Sequence, residues 1–76
     1  MTTRSREQPL FGQQLLRLRQ RSGLTQAQLA ERAGLSTAIV AALEQGRRLD
    51  PRLSTVCNLA AALGVPAAEL VVGADG

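Results

Sequence analysis

Glycine at positions 23, 34, 46 and 64 cuts this chain into short segments, and each segment carries apolar residues at helical spacing. A glycine just past such a run is where a helix ends on a left-handed residue. The four glycines therefore predict four helices and leave room for a short fifth. The first helix is expected over 10–21, where Phe11, Leu15 and Leu18 recur at i, i+4 and i+7. The second begins after Thr25, because Thr25-Gln26-Ala27-Gln28 has the capping-box pattern, and it turns Leu29, Ala30 and Ala33 inward. The third follows Ser36 and places Val40 and Leu43 on the core side. The fourth covers about 53–63, with Leu53, Val56, Leu59, Ala60 and Leu63 at helical spacing. Its start is open between an Asp50-Pro51 cap and a Ser54 cap. The fifth follows Pro66 and is expected to end near Leu70.

Composition supports helices over strands. Hydrophobic residues make up 45% of the 76, led by Ala and Leu, with one Phe and no Trp or Tyr, so the residues that fill sheets are scarce. The expected class is all-α: a compact five-helix domain over 10–72, preceded by a flexible arm over 1–9 and followed by a linker-like tail over 73–76. A domain this small buries a limited fraction of its surface, so it needs very regular helix packing or a partner subunit.

The net charge is +3, and all nine cations are arginine. Arginine is always charged and forks onto phosphate, so such a chain leans towards nucleic acid; a codon bias towards arginine explains the choice over lysine equally well. A lone cysteine cannot form an intrachain disulfide, and without histidine it has no metal-binding companion. Cys57 reads as a small buried hydrophobe of the fourth helix. No signal-peptide core and no membrane-length apolar stretch is present, so the expected setting is the cytoplasm. Six scattered acids and no histidine leave no arrangement for catalysis, and no metal or cofactor is implied.

Ala33-Gly34-Leu35-Ser36 is too short to join two helices except at a steep crossing. Gly34 supplies the left-handed residue, Leu35 plugs the crossing point, and Ser36 caps the next helix. Ala30 is small where the third helix approaches, and Val40 and Leu43 pin that helix down. Together with LRQRSGLTQAQLAERAGLS, LEQGRRLDP and LAAALGVPAAEL, this pattern resembles the phage-repressor/Cro-type (Xre-like) helix-turn-helix family over Leu15 to Leu70.

The resemblance implies a DNA-binding transcriptional regulator, a repressor acting as a homodimer on a two-fold operator. The third helix would enter the major groove of double-stranded DNA while the start of the second meets the backbone. It assigns phosphate or sugar contacts to Gln26, Ser36, Gln45, Arg47 and Arg48, and sends Arg52 towards the minor groove. Arg19 and Glu44 match a structural ion pair. Leu70, Val71 and Val72, exposed after the last helix, would contribute to the dimer.

The base-facing positions implied are Thr37, Ala38, Ala41 and Ala42, with Ile39 at the edge. Of these only Thr37 can hydrogen-bond a base; the rest offer methyl groups. Two readings compete. Specificity comes from DNA shape and from backbone and minor-groove arginines, or the third helix is an apolar face for a protein partner, as in a coactivator-like adaptor or an antitoxin. Plain solvation accounts for Arg17, Arg21 and Arg32, and a tail role suits Arg4 and Arg6. The ending Gly73-Ala74-Asp75-Gly76 is compatible with a complete small regulator and with the N-terminal piece of a longer one.

Overall fold

The computed structural model describes residues 10–48 and 51–75, with Leu10 and residues 72–75 described in backbone course only. The described residues form five helices and no strand: α1 Leu10–Arg21, α2 Gln26–Ala33, α3 Thr37–Gln45, α4 Leu53–Leu63 and α5 Ala67–Asp75. The expected arm over 1–9 and the Asp50 cap lie outside the described residues.

The helix starts obey local hydrogen-bond chemistry. At α2 the capping box is complete: the Thr25 hydroxyl accepts from the Gln28 backbone N–H at 3.0 Å, and the Gln28 side chain accepts from the Thr25 N–H at 2.9 Å. At α3 the Ser36 hydroxyl accepts from the Ile39 N–H at 3.1 Å. Caps of this kind contribute about 1 kcal/mol each. The start of α4 departs from the Ser54 cap expected of the sequence. Its N-cap is Arg52, which makes no side-chain capping bond, and Ser54 lies inside the helix.

The ends share one device. Gly23, Gly34, Gly46 and Gly64 all have positive φ. After each, the next residue's N–H reaches back five positions: Leu24 to Arg19, Leu35 to Ala30, Arg47 to Ala42 and Val65 to Ala60, at 2.8–3.2 Å. In three of the four, that next residue is apolar and packs on the core. After Gly46 it is an exposed arginine.

The core is drawn from all five helices, with Leu15, Leu29, Val40, Leu43, Leu59 and Leu70 its largest fully buried side chains. Helix α1 packs on α3 and α5, α2 packs on α3 and α4, and α4 packs on α5. Gln14 reinforces the α1–α5 contact by donating to the Glu69 carbonyl at 2.9 Å. The contact of α1 with the end of α3 is backbone-close at Gly12. A Cβ there would run into the Leu43 carbonyl oxygen and lie 3.1 Å from that of Glu44.

Four expectations need correction. Helix α5 does not stop near Leu70 but continues to Asp75, so residues 73–75 are helical, not a linker. Leu70, expected to be exposed and available for dimerisation, is wholly buried, because α5 lies against α1 and turns that residue into the core. Leu53, expected on the core stripe of α4, is 77% exposed. A helical side chain leans over the turn N-terminal to it, and the first residue of a helix has no such turn beneath. Cys57, expected to be buried, is exposed, since the covered face of α4 runs through Val56, Leu59 and Ala60.

Candidate nucleic-acid interface

The α2–α3 pair is built around Gly34, whose φ of 73° and ψ of 29° let the chain reverse within three residues. Leu35 then packs against the core and Ser36 opens α3. Only Val40 and Leu43 of α3 are buried. Thr37, Ala38 and Gln45 are exposed, while Ile39, Ala41 and Ala42 are half-buried. The helix thus keeps one narrow stripe inside and shows a face made chiefly of methyl groups.

Beneath α3 lies the Arg19–Glu44 pair. The Arg19 guanidinium meets the carboxylate with two parallel bonds, Nε to Oε2 at 2.6 Å and Nη2 to Oε1 at 3.1 Å. Its third nitrogen, Nη1, donates to the Leu24 carbonyl at 2.8 Å. The side chains are 13% and 3% exposed, so this pair is shielded from water and is held by the fork geometry that makes such bonds strong. It fastens α1, the turn into α2 and the end of α3 at one point. Glu44 is the one acid between Thr37 and Arg48, and its charge is neutralised there.

Past α3 the surface turns basic. Gly46 is left-handed at φ 83°, and the N–H groups of Arg47 and Arg48 both bond back to the Ala42 carbonyl. Two cations at a helix C-terminus complement its dipole. Arg47 Nε also donates to the Gln45 side chain at 3.0 Å. Arg48, Arg52 and Thr55 line a cleft of about 260 Å³ together with Ile39, Leu43 and Pro51. No residue group among those described could hold a metal ion.

A family model described as a helix-turn-helix domain matches residues 10–71, most of the chain. The chain belongs to the helix-turn-helix domain family. It is 44% identical over 66 residues to an uncharacterized HTH-type transcriptional regulator, y4dJ, of Sinorhizobium fredii, covering 87% of this chain and 84% of that one. It is 42% identical over 60 residues to the immunity repressor protein of Bacillus phage phi105, covering 79% of this chain but 41% of the repressor. Among solved structures it is similar to the restriction-modification controller protein C.AhdI of Aeromonas hydrophila. That match has a TM-score of 0.80 and 37% identity, and covers 86% of this chain and 97% of the controller. The phage-repressor resemblance seen in the residues therefore has direct support.

Within this helix-turn-helix unit, the sequence-assigned backbone-contact positions differ in what they already bind. Ser36 and Gln45 already hold local hydrogen bonds, as helix cap and as the partner of Arg47. Arg47, Arg48 and Arg52 are exposed. Gln26 carries a contact that its sequence position did not announce: its Nε2 donates to Glu44 Oε1 at 2.9 Å. Gly12, whose lack of a side chain lets α1 meet the end of α3, was also missed. A glycine inside a helical run is the available signal for such an approach. Of the residues assigned to dimer contact, Leu70 is core, Val71 is 42% exposed, and the Val72 side chain lies outside the described residues.

Proposed function

We propose that this protein is a transcriptional repressor that binds double-stranded DNA as a homodimer on a two-fold operator. The carrying observation is the surface of α3 and its flanks. An exposed helix face without an unpaired acid is followed by the exposed Arg47 and Arg48, and Arg52 lies exposed at the start of α4. In this reading α3 lies in the major groove, with Thr37, Ala38, Ala41 and Ala42 towards the bases. Gln26 and Ser36 at the starts of α2 and α3 meet phosphates, where free backbone N–H groups and the helix dipoles favour anions. Gln45, Arg47 and Arg48 take the backbone beyond α3, and Arg52 reaches the minor groove edge. The two recognition helices of a dimer would sit about one turn of DNA, roughly 34 Å, apart. Among the described side chains of α5, Val71 is the exposed large apolar one available for the dimer. Among the described residues no helix is long and apolar enough to cross a membrane, and a repressor of this kind would work in the cytoplasm.

Selection of bound duplexes from a random pool tests this reading. Enrichment of a palindromic site, with thymine at the positions facing the alanines, is the expected outcome. A pool that stays random under binding conditions would reject operator recognition. The alanine-rich face also suits a protein partner, and Ala38→Glu separates the two readings. Because Ala38 is exposed, the change leaves the core intact. Loss of duplex binding supports the repressor, and retained duplex binding favours the partner surface.

A further inference from the structure

We propose that Glu44 is a positioning residue for DNA phosphate binding, holding the Gln26 side chain ready at the start of α2. This rests on the proposed function, in which Gln26 meets a phosphate. A carboxylate only accepts hydrogen bonds, so the 2.9 Å contact fixes which end of the Gln26 amide faces Glu44: the nitrogen. The same Oε1 atom accepts from Arg19 Nη2, and the other carboxylate oxygen accepts from Arg19 Nε. Glu44 is therefore immobilised from beneath by a nearly buried fork and in turn immobilises the glutamine above it.

The consequence for binding has two parts. A free glutamine has three rotatable bonds, and freezing them weakens association; here the ordering occurs on folding instead. One amide proton is committed to Glu44 and the second remains for an acceptor. It accompanies the backbone N–H groups of Gln26 and Ala27, which have no intrahelical partner, whereas that of Gln28 is taken by the Thr25 hydroxyl. A bare carboxylate so close would repel a phosphate, and the Arg19 charge cancels it. The arrangement Arg19–Glu44–Gln26 thus converts a structural ion pair into a neutral mount for an anion contact.

The test is a double-mutant cycle on binding to a mixed-sequence duplex at low salt, where backbone contacts supply the affinity. The proteins are the parent, Gln26→Ala, Glu44→Asp and the double variant, each checked for native helix content at the assay temperature. Aspartate keeps the charge beside Arg19 but withdraws the acceptor from Gln26. Gln26→Ala should weaken binding roughly tenfold, the scale of one hydrogen bond to a charged group. Glu44→Asp should weaken the parent severalfold and leave the Gln26→Ala protein unchanged. Equal losses from Glu44→Asp in both backgrounds would overturn the positioning role while leaving the phosphate contact standing. An unchanged affinity on Gln26→Ala would remove the phosphate contact itself, and the positioning role with it. If Glu44→Asp does not fold, the side-chain amide resonances of Gln26 in the parent decide. One proton should show a hydrogen-bonded shift that persists when duplex is added while the other moves; loss of the first signal on binding would reject the proposal.

Discussion

The turn after α2 and the turn after α3 share a backbone and differ in the residue beyond the glycine. At both, a left-handed glycine ends the helix and the next N–H bonds to the carbonyl five residues back. After Gly34 comes Leu35, which packs into the core; after Gly46 comes Arg47, which stays exposed. An apolar residue at that place normally fastens the helix end to its neighbours. The end of α3 is fastened otherwise, by Glu44 on Arg19 and by the close backbone approach at Gly12. Moving the anchor beneath the helix frees the position after the glycine for a cation. One turn serves the fold and the other the surface.

The largest expected effect comes from breaking that substitute anchor. Arg19→Ala leaves the Glu44 carboxylate buried without its partner, and the loss should be on the order of 3–5 kcal/mol in denaturant unfolding. An unchanged unfolding midpoint would show that the end of α3 is held by apolar packing and the close approach at Gly12, with no help from the ion pair. Replacing both partners by apolar residues, Arg19→Met with Glu44→Leu, should restore most of the stability. Such a protein would separate fold from function, because Gln26 would still lack its acceptor.

Gly12→Ala attacks the other half of the anchor. The new methyl meets a backbone carbonyl, which cannot rotate away, so overpacking should cost about 1–3 kcal/mol. The better helix propensity of alanine, roughly 1 kcal/mol, offsets part of this. A protein made more stable by the change would mean that α1 and α3 slide apart easily. Leu35→Ala should lose about 2 kcal/mol, the low end for leucine truncation, since the side chain is only partly buried. Duplex affinity, measured where both proteins are fully folded, should change little.

These contrasts also explain what the residues disclosed in advance. The starts of α2 and α3 and the four glycine stops depend on neighbours in sequence: Thr25 with Gln28, Ser36 with Ile39, and the glycines with the carbonyls before them. They were legible for that reason. Which end of an apolar stripe is covered depends on another helix, so the pattern puts Leu53 in the core and Leu70 at the surface, the reverse of their places in the fold. The extension of α5 to Asp75 was hidden because Gly73-Ala74-Asp75 has the composition of a linker while the backbone there is helical. The Gln26–Glu44 bond spans 18 positions and joins a glutamine assigned to phosphate with an acid assigned to an ion pair. The ion pair itself became visible through family resemblance, whereas its third member had no pattern of its own.

Arg47 offers the sharpest test of the contrast although its effect on stability is the smallest. The residue is exposed and, among the described residues, its guanidinium hydrogen-bonds Gln45, so Arg47→Ala should shift unfolding by no more than about 0.5 kcal/mol. Its effect should appear in the salt dependence of duplex binding. Each phosphate neutralised contributes a log–log slope of roughly −0.9, and removal of one contacting arginine should make the slope shallower by about that amount. Arg47→Leu goes further by giving the turn after α3 the apolar residue that the turn after α2 already has. It should hold or raise the melting temperature while losing the same increment of slope. If the leucine protein kept the full salt slope, the cation after Gly46 would not contact DNA. The two turns would then differ in sequence without differing in purpose.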